Sequence, residues 1–397
     1  MQVLCYKYRL LPTRVQHMAF GRILEDQRQL YNAALQERIE CYRKTGKGRS
    51  YIEQCKALTE CRGALPEMAG VPVYLQRGTL GRVHRAYEKF FHGHKRGIRH
   101  GFPRFKGKDR FKSFEFKEFR GIQLDGKRLR FKGMPGSLRM HLHRPMPNGE
   151  ILTATFNHGH KGWSVSLAIR VETEEARDIC SVIGLDMGIT TLAATSDGLL
   201  IPNPRTARKA ERELRRRQRA LARCKRGSKR RQKVRREVTR LYAKVANTRA
   251  TELHRISAML VKRYDLIAVE ALNVKGLAKG MLARDVNDAG WAKLVNLLGY
   301  KAERAGAHLI KVDPNYTSQD CAGCGTRVPK TLKDRWHHCP SCGVREDRDI
   351  NAARVILSRA GVGPGAHKLG GCAVAVPGNI TLSEIAPSAS SVTQRIA

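Results

Sequence analysis

The segment SVIGLDMGIT, residues 181–190, places one carboxylate, Asp186, at the end of a run that is otherwise typical of a buried strand. An ionised carboxylate in apolar surroundings is costly unless a partner or a metal ion compensates its charge. One interpretation is a strand-end aspartate that accepts a hydrogen bond from a turn amide. The other is a functional carboxylate, with Gly184 and Gly188 leaving room beside it for a substrate backbone. The positions of the chain's other acids distinguish the two.

Two further acids occupy comparable positions. YDLIAVEALN, residues 264–273, has the pattern of a short apolar strand that ends on Glu270, and Asp349 lies in DRDINAARVIL at a predicted helix start. Asp347 is the nearest alternative, but Asp349 directly precedes the INAA helix start. Two strand ends and a helix start are the elements with which RNase H-like folds gather carboxylates over one end of a sheet. The sequence therefore favours a functional role for Asp186.

Three crowded carboxylates repel one another unless cations neutralise them. Hard oxygen ligands select Mg²⁺ or Mn²⁺. Two such ions can activate a water molecule and stabilise the leaving oxygen in phosphodiester hydrolysis. The sequence thus predicts that Asp186, Glu270 and Asp349 are catalytic and hold two Mg²⁺ (or Mn²⁺) ions.

Four cysteines form a second candidate metal site. CAGCG and CPSCG supply Cys321, Cys324, Cys339 and Cys342. Each CxxC turn aims two thiolates at one ion, and four sulfur ligands are typical of a closed, structural zinc site. The other seven of the 11 cysteines are scattered singly, which is typical of a reducing cytoplasm and not of a disulfide framework. We therefore expect one structural Zn²⁺ and a cytoplasmic protein that is nucleoid-associated when bound to DNA.

The charge of the chain indicates its partner. The 397 residues include 75 Lys and Arg against 35 Asp and Glu, a formal net charge of +40. So large an excess repels itself in a compact fold and indicates a long polyanion, of which nucleic acid is the best candidate. No apolar run approaches the roughly 20 residues of a membrane helix, so no membrane partner is expected.

The positive charge is densest in residues 205–244, which contain 19 Lys or Arg and three acids. Leu and Val recur there at helical spacing on both sides of Gly227-Ser228, which predicts two helices packed through one narrow seam. A solvated helical face normally mixes both signs, and this one barely does. We predict a phosphate-binding hairpin whose contact residues are Arg215, Arg216, Arg219, Arg223, Lys229 and Arg230.

The rest of the chain alternates between helical and strand patterns. A strand at residues 1–11 precedes a helix that begins after Thr13, and residues 75–97 carry a second helical pattern. Residues 46–72 between them are broken by Gly and Pro. From about residue 100 to 178 basic, aromatic and Gly residues alternate as in strands. Further on, a helix at WAKLVNLLGYKAERAG separates the strand of Glu270 from a strand in AHLIKVDPN, which predicts a parallel pair.

Seven motifs together resemble one known family. They are YKYRLLPT (6–13), GFPRFKGKDRFKSFEF (101–116), IGLDMGITTLAATSDG (183–198), VEALNVKGL (269–277), YTSQDCAGCG (316–325), CPSCG (339–343) and DRDINAARVIL (347–357). Their order and spacing are similar to those of the TnpB (OrfB) proteins of bacterial insertion sequences. The resemblance extends from residue 1 to about residue 360.

The resemblance implies an RNA-guided DNA endonuclease, related to the small type V CRISPR effectors. Its guide RNA would come from the transposon end, and it would cut target double-stranded DNA beside a short adjacent motif. The RuvC-like nuclease of the family carries its acids where this chain has Asp186, Glu270 and Asp349, and its zinc ribbon precedes the last acid. The adjacent motif is read in the N-terminal half, where we take Gln76 and Arg77 as candidates.

The resemblance also implies an α/β multidomain fold. An RNase H-like (RuvC) core contains an inserted zinc ribbon, and a helical recognition domain interrupts an N-terminal β-barrel (wedge) domain. The expected boundaries are 1–12 and 97–178 for the wedge, 13–96 for the recognition domain, 179–312 and 349–362 for the nuclease with its hairpin at 205–246, 313–348 for the ribbon and 363–397 for a disordered tail.

Other functions remain open at this stage. A nuclease-inactive RNA-guided repressor would lack one or more of the three acids, all of which are present here. A transposase would share the RNase H-like core, although the zinc ribbon and the basic hairpin fit it less well. A small type V CRISPR effector would share every motif. A ribosome-associated zinc-ribbon protein would bind RNA without needing the three carboxylates.

Overall fold

The structure, a computed structural model, describes residues 1–95, 97, 100–331 and 334–361. The chain divides after Glu172 into two compact units. Residues 173–178, which the sequence assigned to the wedge, contact the second unit: the Glu174 amide donates to Arg304 O (3.1 Å) and the Arg177 amide to Gly306 O (2.7 Å). The predicted tail, 363–397, lies outside the described residues.

The first unit combines an antiparallel sheet with three long helices. The strands are β1 (Gln2–Leu11), β2 (Ser113–Phe116), β3 (Ile122–Asp125), β4 (Arg128–Phe131), β5 (Leu138–His141), β6 (Glu150–Gly159) and β7 (Gly162–Val171), and the helices are α1 (Arg14–Thr45), α2 (Tyr51–Ala64) and α3 (Val73–Lys95). The strands pair in the order β2-β6-β7-β1-β5-β4-β3. Since β2 and β3 stand at the two ends of this order, closure into a barrel stays a prediction.

Alternation along β1 shows how this sheet acquires its core. Tyr6, Tyr8 and Leu10 are buried, whereas the residues between them are exposed, the period-2 pattern of a strand with one covered face. Helix α1 covers that face, and its Phe20 ring stacks on Trp163 with centroids 4.1 Å apart. The strand predicted for residues 1–11 is confirmed.

Helix α2 corrects the prediction for residues 46–72, where Gly and Pro were taken to interrupt helical structure. Ser50 and Glu53 form a capping box: the Ser50 side chain accepts from the Glu53 amide (3.2 Å) while the Glu53 carboxylate accepts from the Ser50 amide (2.7 Å). The S-x-x-E signature of a helix start was present in the sequence. It outweighs the glycines because Gly46 and Gly48 precede the cap and Gly63 lies in the last turn, so none of them interrupts the helix interior.

In its described residues the second unit contains a five-stranded sheet, a two-stranded hairpin and six helices. The strands are β8 (Val182–Asp186), β9 (Thr191–Thr195), β10 (Leu200–Pro202), β11 (Leu266–Glu270), β12 (His308–Val312), β13 (Trp336–His338) and β14 (Arg345–Asp347). The helices are α4 (Thr206–Arg223), α5 (Lys229–Arg263), α6 (Val274–Leu277), α7 (Ala283–Ala289), α8 (Trp291–Arg304) and α9 (Arg348–Arg359).

The larger sheet has the order β10-β9-β8-β11-β12. Strands β8, β9 and β10 pair antiparallel, whereas β8, β11 and β12 run parallel to one another. The predicted parallel pair with an intervening helix is therefore confirmed, as β11, α8 and β12.

The two faces of this sheet have different cores. Ile183, Leu185, Ile267 and Val269 pack on one face with α5 and α8. Val182, Leu266 and Ala268 pack on the other face, against Ile356 of α9. Because side chains alternate along a strand, Asp186 and Glu270 belong to the face that α9 covers.

Helix α9 lies directly on strand β8 at Gly184. A Cβ atom built at Gly184 would overlap the carbonyl oxygen of Ala353 and stand 2.9 Å from the Leu357 Cβ. The space beside Gly184 is thus filled by the protein's own helix. This corrects the expectation that Gly184 leaves room for a substrate backbone, and it explains why the residue is glycine.

The predicted basic hairpin is confirmed as α4 and α5, but α5 is longer than expected. It continues past residue 246 to Arg263, and its second half contributes Leu253, Ile256 and Leu260 to the core. One helix therefore carries both the basic hairpin and a buried face of the sheet.

Prediction for Gly184. Substitution Gly184→Ala should destabilise the second unit by about 2 kcal/mol or more, since the added methyl group meets backbone in a packed core. Thermal or denaturant unfolding of the purified protein measures this. Gly299→Ala is the matched control: its Cβ would make ordinary contact with Leu309 at 3.6 Å, and alanine favours a helix interior. Equal stability of the two variants would contradict this account of β8 and α9.

Candidate active site and zinc site

Strand register brings two of the predicted acids together. Strands β8 and β11 pair in parallel with Leu185 opposite Val269, so the next residues, Asp186 and Glu270, end neighbouring strands at the same edge. Carboxyl ends of adjacent parallel strands are a common place for functional side chains in α/β sheets. The structure thus places both acids as the sequence predicted.

The third predicted acid, Asp349, lies on α9. Asp347 ends β14 and caps the helix, because its Oδ1 accepts from the backbone amides of Asp349 (2.8 Å) and Ile350 (3.3 Å). Asp349 lies in the first turn and is held by Arg348, whose Nε and Nη2 both donate to Asp349 Oδ1 at 3.2 Å. The capping role of Asp347 favours Asp349 as the third member of the acid cluster.

The electrostatics of Asp186 show that these acids are close. Burial raises the pKa of Asp186 to about 8, and the carboxylates of Glu270, Asp349 and, to the smallest extent, Asp347 act in the same direction. The Arg348 guanidinium opposes them. Asp186 is therefore a group whose ionised form the folded protein disfavours unless further positive charge is supplied.

Glu270 is buried, and a hydrogen bond fixes the orientation of its side chain. The Thr317 hydroxyl, which is also buried, donates to its Oε1. Burial raises the pKa of Glu270, while the Thr317 hydrogen bond and the Arg359 charge lower it. The sequence analysis missed Thr317, although it stands in the same YTSQ segment that leads into the first cysteine pair.

The donor set fits hard divalent cations. Burial, together with the charges of Glu270 and Asp349, raises the pKa of Asp186, which is the electrostatic condition that Mg²⁺ or Mn²⁺ relieves. Within the described residues, however, only the four cysteines have three or more ligand atoms all within 4.8 Å of one another. The carboxylates are thus near one another without being closed around a single point.

The four predicted cysteines converge in space. Cys321 Sγ stands 3.6 Å from Cys342 Sγ, and Cys324 Sγ 3.5 Å from Cys339 Sγ. With Zn–S bonds of about 2.3 Å, a tetrahedral site has S–S edges of about 3.8 Å. The sulfurs are therefore spaced for one zinc ion and are too far apart for disulfides.

Each CxxC pair forms the same kind of turn, which orients its two cysteine sulfurs. The Gly325 amide donates to Cys321 O and the Gly343 amide to Cys339 O, each at 2.9 Å. Both glycines have left-handed backbone, with φ of +76° and +72°, which glycine adopts without strain. The glycine after each CxxC pair thus has a physical role in closing the knuckle.

Asn351 connects the cysteine site to the acid cluster. Its fully buried amide accepts from the Ala322 amide (3.0 Å) and donates to Asp320 O (2.8 Å). These bonds join the first knuckle to α9, two residues beyond Asp349. The sequence analysis singled out INAA as a helix start and did not anticipate that its asparagine braces the cysteine site.

The hairpin presents its predicted contact residues to solvent. Arg215, Arg216, Arg219, Arg223, Lys229 and Arg230 are all exposed. Its three acids are each paired with arginine: Glu211 with Arg215 and Arg284, Glu213 with Arg216 and Arg217, and Glu237 with Arg217. Most of the hairpin's other cations therefore remain available for an external polyanion.

The structure corrects the role suggested for Gln76. Its side chain is 4% exposed, its Nε2 donates to Met68 O at 2.9 Å, and its Oε1 accepts from Arg62. Because both the oxygen and the nitrogen of the Gln76 side-chain amide are hydrogen-bonded within the protein, this side chain is not available to a base edge. Arg77 is half-buried, and its contact with nucleic acid stays a prediction.

Comparison with known proteins agrees with this geometry. A protein of Streptomyces pristinaespiralis named "Putative RNA-guided DNA endonuclease" is 33% identical over 364 residues, which cover 89% of this chain and 88% of that protein. This chain belongs to the TnpB (OrfB) family. InsQ of Escherichia coli (strain K12), with the same description, is 29% identical and covers 89% of this chain and 91% of its own.

Three family models match parts of the chain. The OrfB_IS605 model, described as a probable transposase, matches residues 166–281, a Cas12f1-like TNB domain matches 291–356, and a helix-turn-helix domain matches 1–47. Residues 1–47, which match the helix-turn-helix model, fold in this TnpB-family protein as strand β1 and the single long helix α1.

Two solved structures share the fold. A Cas12f1–sgRNA–target DNA complex aligns with 87% of this chain and 83% of its own at a TM-score of 0.56 and 15% identity. The mini-RNA-guided endonuclease CRISPR-Cas_phi3 aligns with 91% and 92% at a TM-score of 0.50 and 10% identity. At such low identity the likeness shows the fold of compact type V effectors.

Among the described residues no helix has the length and apolar character to cross a membrane.

Prediction for the cysteine site. Purified protein should contain one zinc per chain, and Cys321→Ser should lose it and unfold at a lower temperature, because the metal joins two otherwise short loops. Elemental analysis and thermal unfolding measure both effects. Cys224→Ser is the matched control, since Cys224 lies at the end of α4 away from the cysteine cluster. A zinc-free wild-type protein, or equal zinc in both variants, would contradict the assignment.

Proposed function

We propose that this protein is an RNA-guided DNA endonuclease of an insertion sequence. It uses a guide RNA from the transposon end to recognise target double-stranded DNA next to a short motif, and it cuts by metal-dependent phosphodiester hydrolysis. The observation that carries the proposal is the convergence of Asp186, Glu270 and Asp349 at one edge of the five-stranded sheet. The names of the relatives support the same activity.

The sheet order supports an RNase H-like (RuvC) core. If β8 to β12 are numbered 1 to 5 in chain order, the strands lie in the order 3-2-1-4-5. Strands 1, 2 and 3 pair antiparallel, and strands 4 and 5 run parallel to strand 1. The zinc ribbon stands between β12 and α9, just before the third acid. In the first unit, the antiparallel sheet and helices α1–α3 are proposed as the wedge and recognition domains.

The residues of the site have distinct tasks. Asp186, Glu270 and Asp349 would hold Mg²⁺, which when bound supplies the Lewis acidity that activates water and stabilises the leaving oxygen. Thr317 fixes the orientation of Glu270. Asp347 fixes the first turn of α9 and thereby the position of Asp349. Arg348 holds Asp349 and partly balances its charge.

The zinc ribbon and the hairpin support this chemistry without taking part in it. Asn351 transmits the position of the first cysteine knuckle to α9. The hairpin is proposed to grip the guide RNA, or its duplex with the target strand, mainly through phosphates. These partners also support the predicted cytoplasmic place of action.

Prediction for the acids. Asp186→Ala, Glu270→Ala and Asp349→Ala should each abolish cleavage of a matched plasmid while RNA and target binding remain, because the carboxylates hold ions and not the strand. A plasmid-cutting assay with guide RNA and Mg²⁺, paired with a gel-shift assay, measures both.

The control for this test is Asp347→Ser, which removes the charge but keeps a capping acceptor for α9. It should still cut. An inactive Asp347→Ser beside an active Asp349→Ala would overturn the assignment of the third acid. Matched binding with no cutting by the wild type would instead favour a nuclease-inactive repressor.

Prediction for the hairpin. Neutralising Arg215, Arg216 and Arg219 together should weaken RNA binding for all guide sequences alike. The log–log salt dependence should become shallower by roughly 2–3, at roughly 0.7–0.9 per lost phosphate contact. A salt titration of binding measures the slope, and Glu213→Gln, which removes an acid from the same helix, should not weaken binding. If the slope stayed unchanged while the adjacent-motif preference changed, the assignment of phosphate binding to the hairpin and of motif reading to the N-terminal half would be wrong.

A further inference from the structure

A cleft of about 650 Å³ opens beside the end of β12, and nothing in the mechanism above uses it. Its lining includes three cations, Lys311, Arg327 and Arg359, and one acid, Asp313; Asp320, outside the lining, pairs with both arginines, so the cations still outnumber the acids. The Asp313 carboxylate is occupied by Asn315, whose backbone amide and side-chain amide both donate to it. The lining therefore favours an anionic ligand.

The cleft also contains an exposed π surface. The Arg327 guanidinium carbon stands 3.6 Å from the centre of the Tyr316 ring, a stacked cation–π pair. Tyr316 is 51% exposed, and the Arg327 side chain is 51% exposed. A large aromatic side chain held in a fixed stack and still half open to solvent offers a platform to a planar ligand.

The backbone and one carboxylate hold this platform in place. Tyr316 has a φ of +62°, a left-handed conformation that is uncommon for a bulky residue and is often found at functional sites. Asp320 accepts from Arg327 Nε at 3.1 Å and from Arg359 Nη2 at 2.6 Å. Both guanidinium groups are thus oriented before any ligand arrives.

The platform adjoins the acid cluster. Tyr316 directly precedes Thr317, whose hydroxyl donates to Glu270. Lys311 lines this cleft and also a second cavity of about 350 Å³ that includes Glu270. The two cavities therefore meet at Lys311, next to Val312, which pairs with Glu270 across the sheet, so the platform lies near the strand end that carries Glu270.

We propose that this cleft binds an unpaired nucleotide of the target DNA, with its base stacked on Tyr316–Arg327 and its phosphate beside Lys311. The inference rests on the proposed function, because it takes the strand in the cleft to be the one delivered to Asp186 and Glu270. Base–aromatic stacking tolerates every base, as a guided nuclease requires. The platform would hold the strand next to the acids and would not read its sequence.

Photo-crosslinking tests the contact directly. Full-length Asp186→Ala protein is assembled with guide RNA and target DNA that carries 5-iododeoxyuridine at successive positions. We expect a crosslink to Tyr316 from one short stretch of unpaired DNA. Crosslinks at Tyr316 from the guide RNA, or none from any DNA position, would overturn the proposal.

Substitutions test the stacking. In the Asp186→Ala background, Tyr316→Ala should weaken binding of a single-stranded DNA oligonucleotide by roughly 5- to 100-fold, while Tyr316→Phe, which keeps the ring, should stay within about twofold. Trp336→Ala is the matched control, because Trp336 is an exposed aromatic residue of the same ribbon, 63% exposed, outside the cleft lining. Equal weakening by Tyr316→Ala and Trp336→Ala would overturn a specific platform.

An abasic nucleotide at the crosslinking position removes the base while the Tyr316 side chain stays in place. It should weaken binding to the Tyr316 protein as much as Tyr316→Ala does, and it should have no further effect on Tyr316→Ala. Additive losses would contradict stacking at this position. None of these assays needs cleavage, so a wild type that fails to cut would refute the proposed function without deciding the platform.

Discussion

The burial of the Asp186 carboxylate beside other acids is the electrostatic constraint on the active-site edge of the second unit. Asp186, Glu270 and Asp349 come from two strands and a helix, and burial, reinforced by the charges of Glu270 and Asp349, holds the pKa of Asp186 far above the ordinary range of an aspartate. A fold would not assemble such a cluster for its own stability. Divalent cations would relieve this cost, and this is the link that we propose between the electrostatics of the site and hydrolysis of a phosphodiester.

Close packing holds the elements that carry these acids in place. Helix α9 approaches β8 closely enough that only glycine fits at residue 184, and Asn351 joins the same helix to the first cysteine knuckle. The zinc site is therefore best understood as a brace for Asp349. Helix α5 packs on the opposite face of the sheet through its apolar half, and its basic half extends into the hairpin.

The sequence was sufficient to predict these acids and cysteines because each follows a strong local pattern. Asp186 and Glu270 end apolar strands, and the CxxC pairs fix their own geometry. The roles of Gly184, Thr317 and Asn351 could not be predicted, since each depends on a partner distant along the chain. Gln76 shows the opposite failure: its helical position was visible, but its burial depends on Arg62 and Met68. Helix α2 was missed although its capping box was present, because the flanking glycines received more weight.

The pH dependence of stability tests this account of the buried Asp186 carboxylate most directly. Because the pKa of Asp186 in the folded protein, about 8, exceeds its unfolded value, proton binding stabilises the fold at low pH, and this contribution is lost as pH rises toward 8. Thermal unfolding of zinc-loaded, Mg²⁺-free protein between about pH 5.5 and 8.5 should therefore show a melting temperature that falls more steeply in the wild type than in Asp186→Asn, by roughly 2–4 °C per pH unit. Added Mg²⁺ should raise the wild-type value at high pH. Parallel pH profiles for the two proteins, with no response to Mg²⁺, would contradict the account.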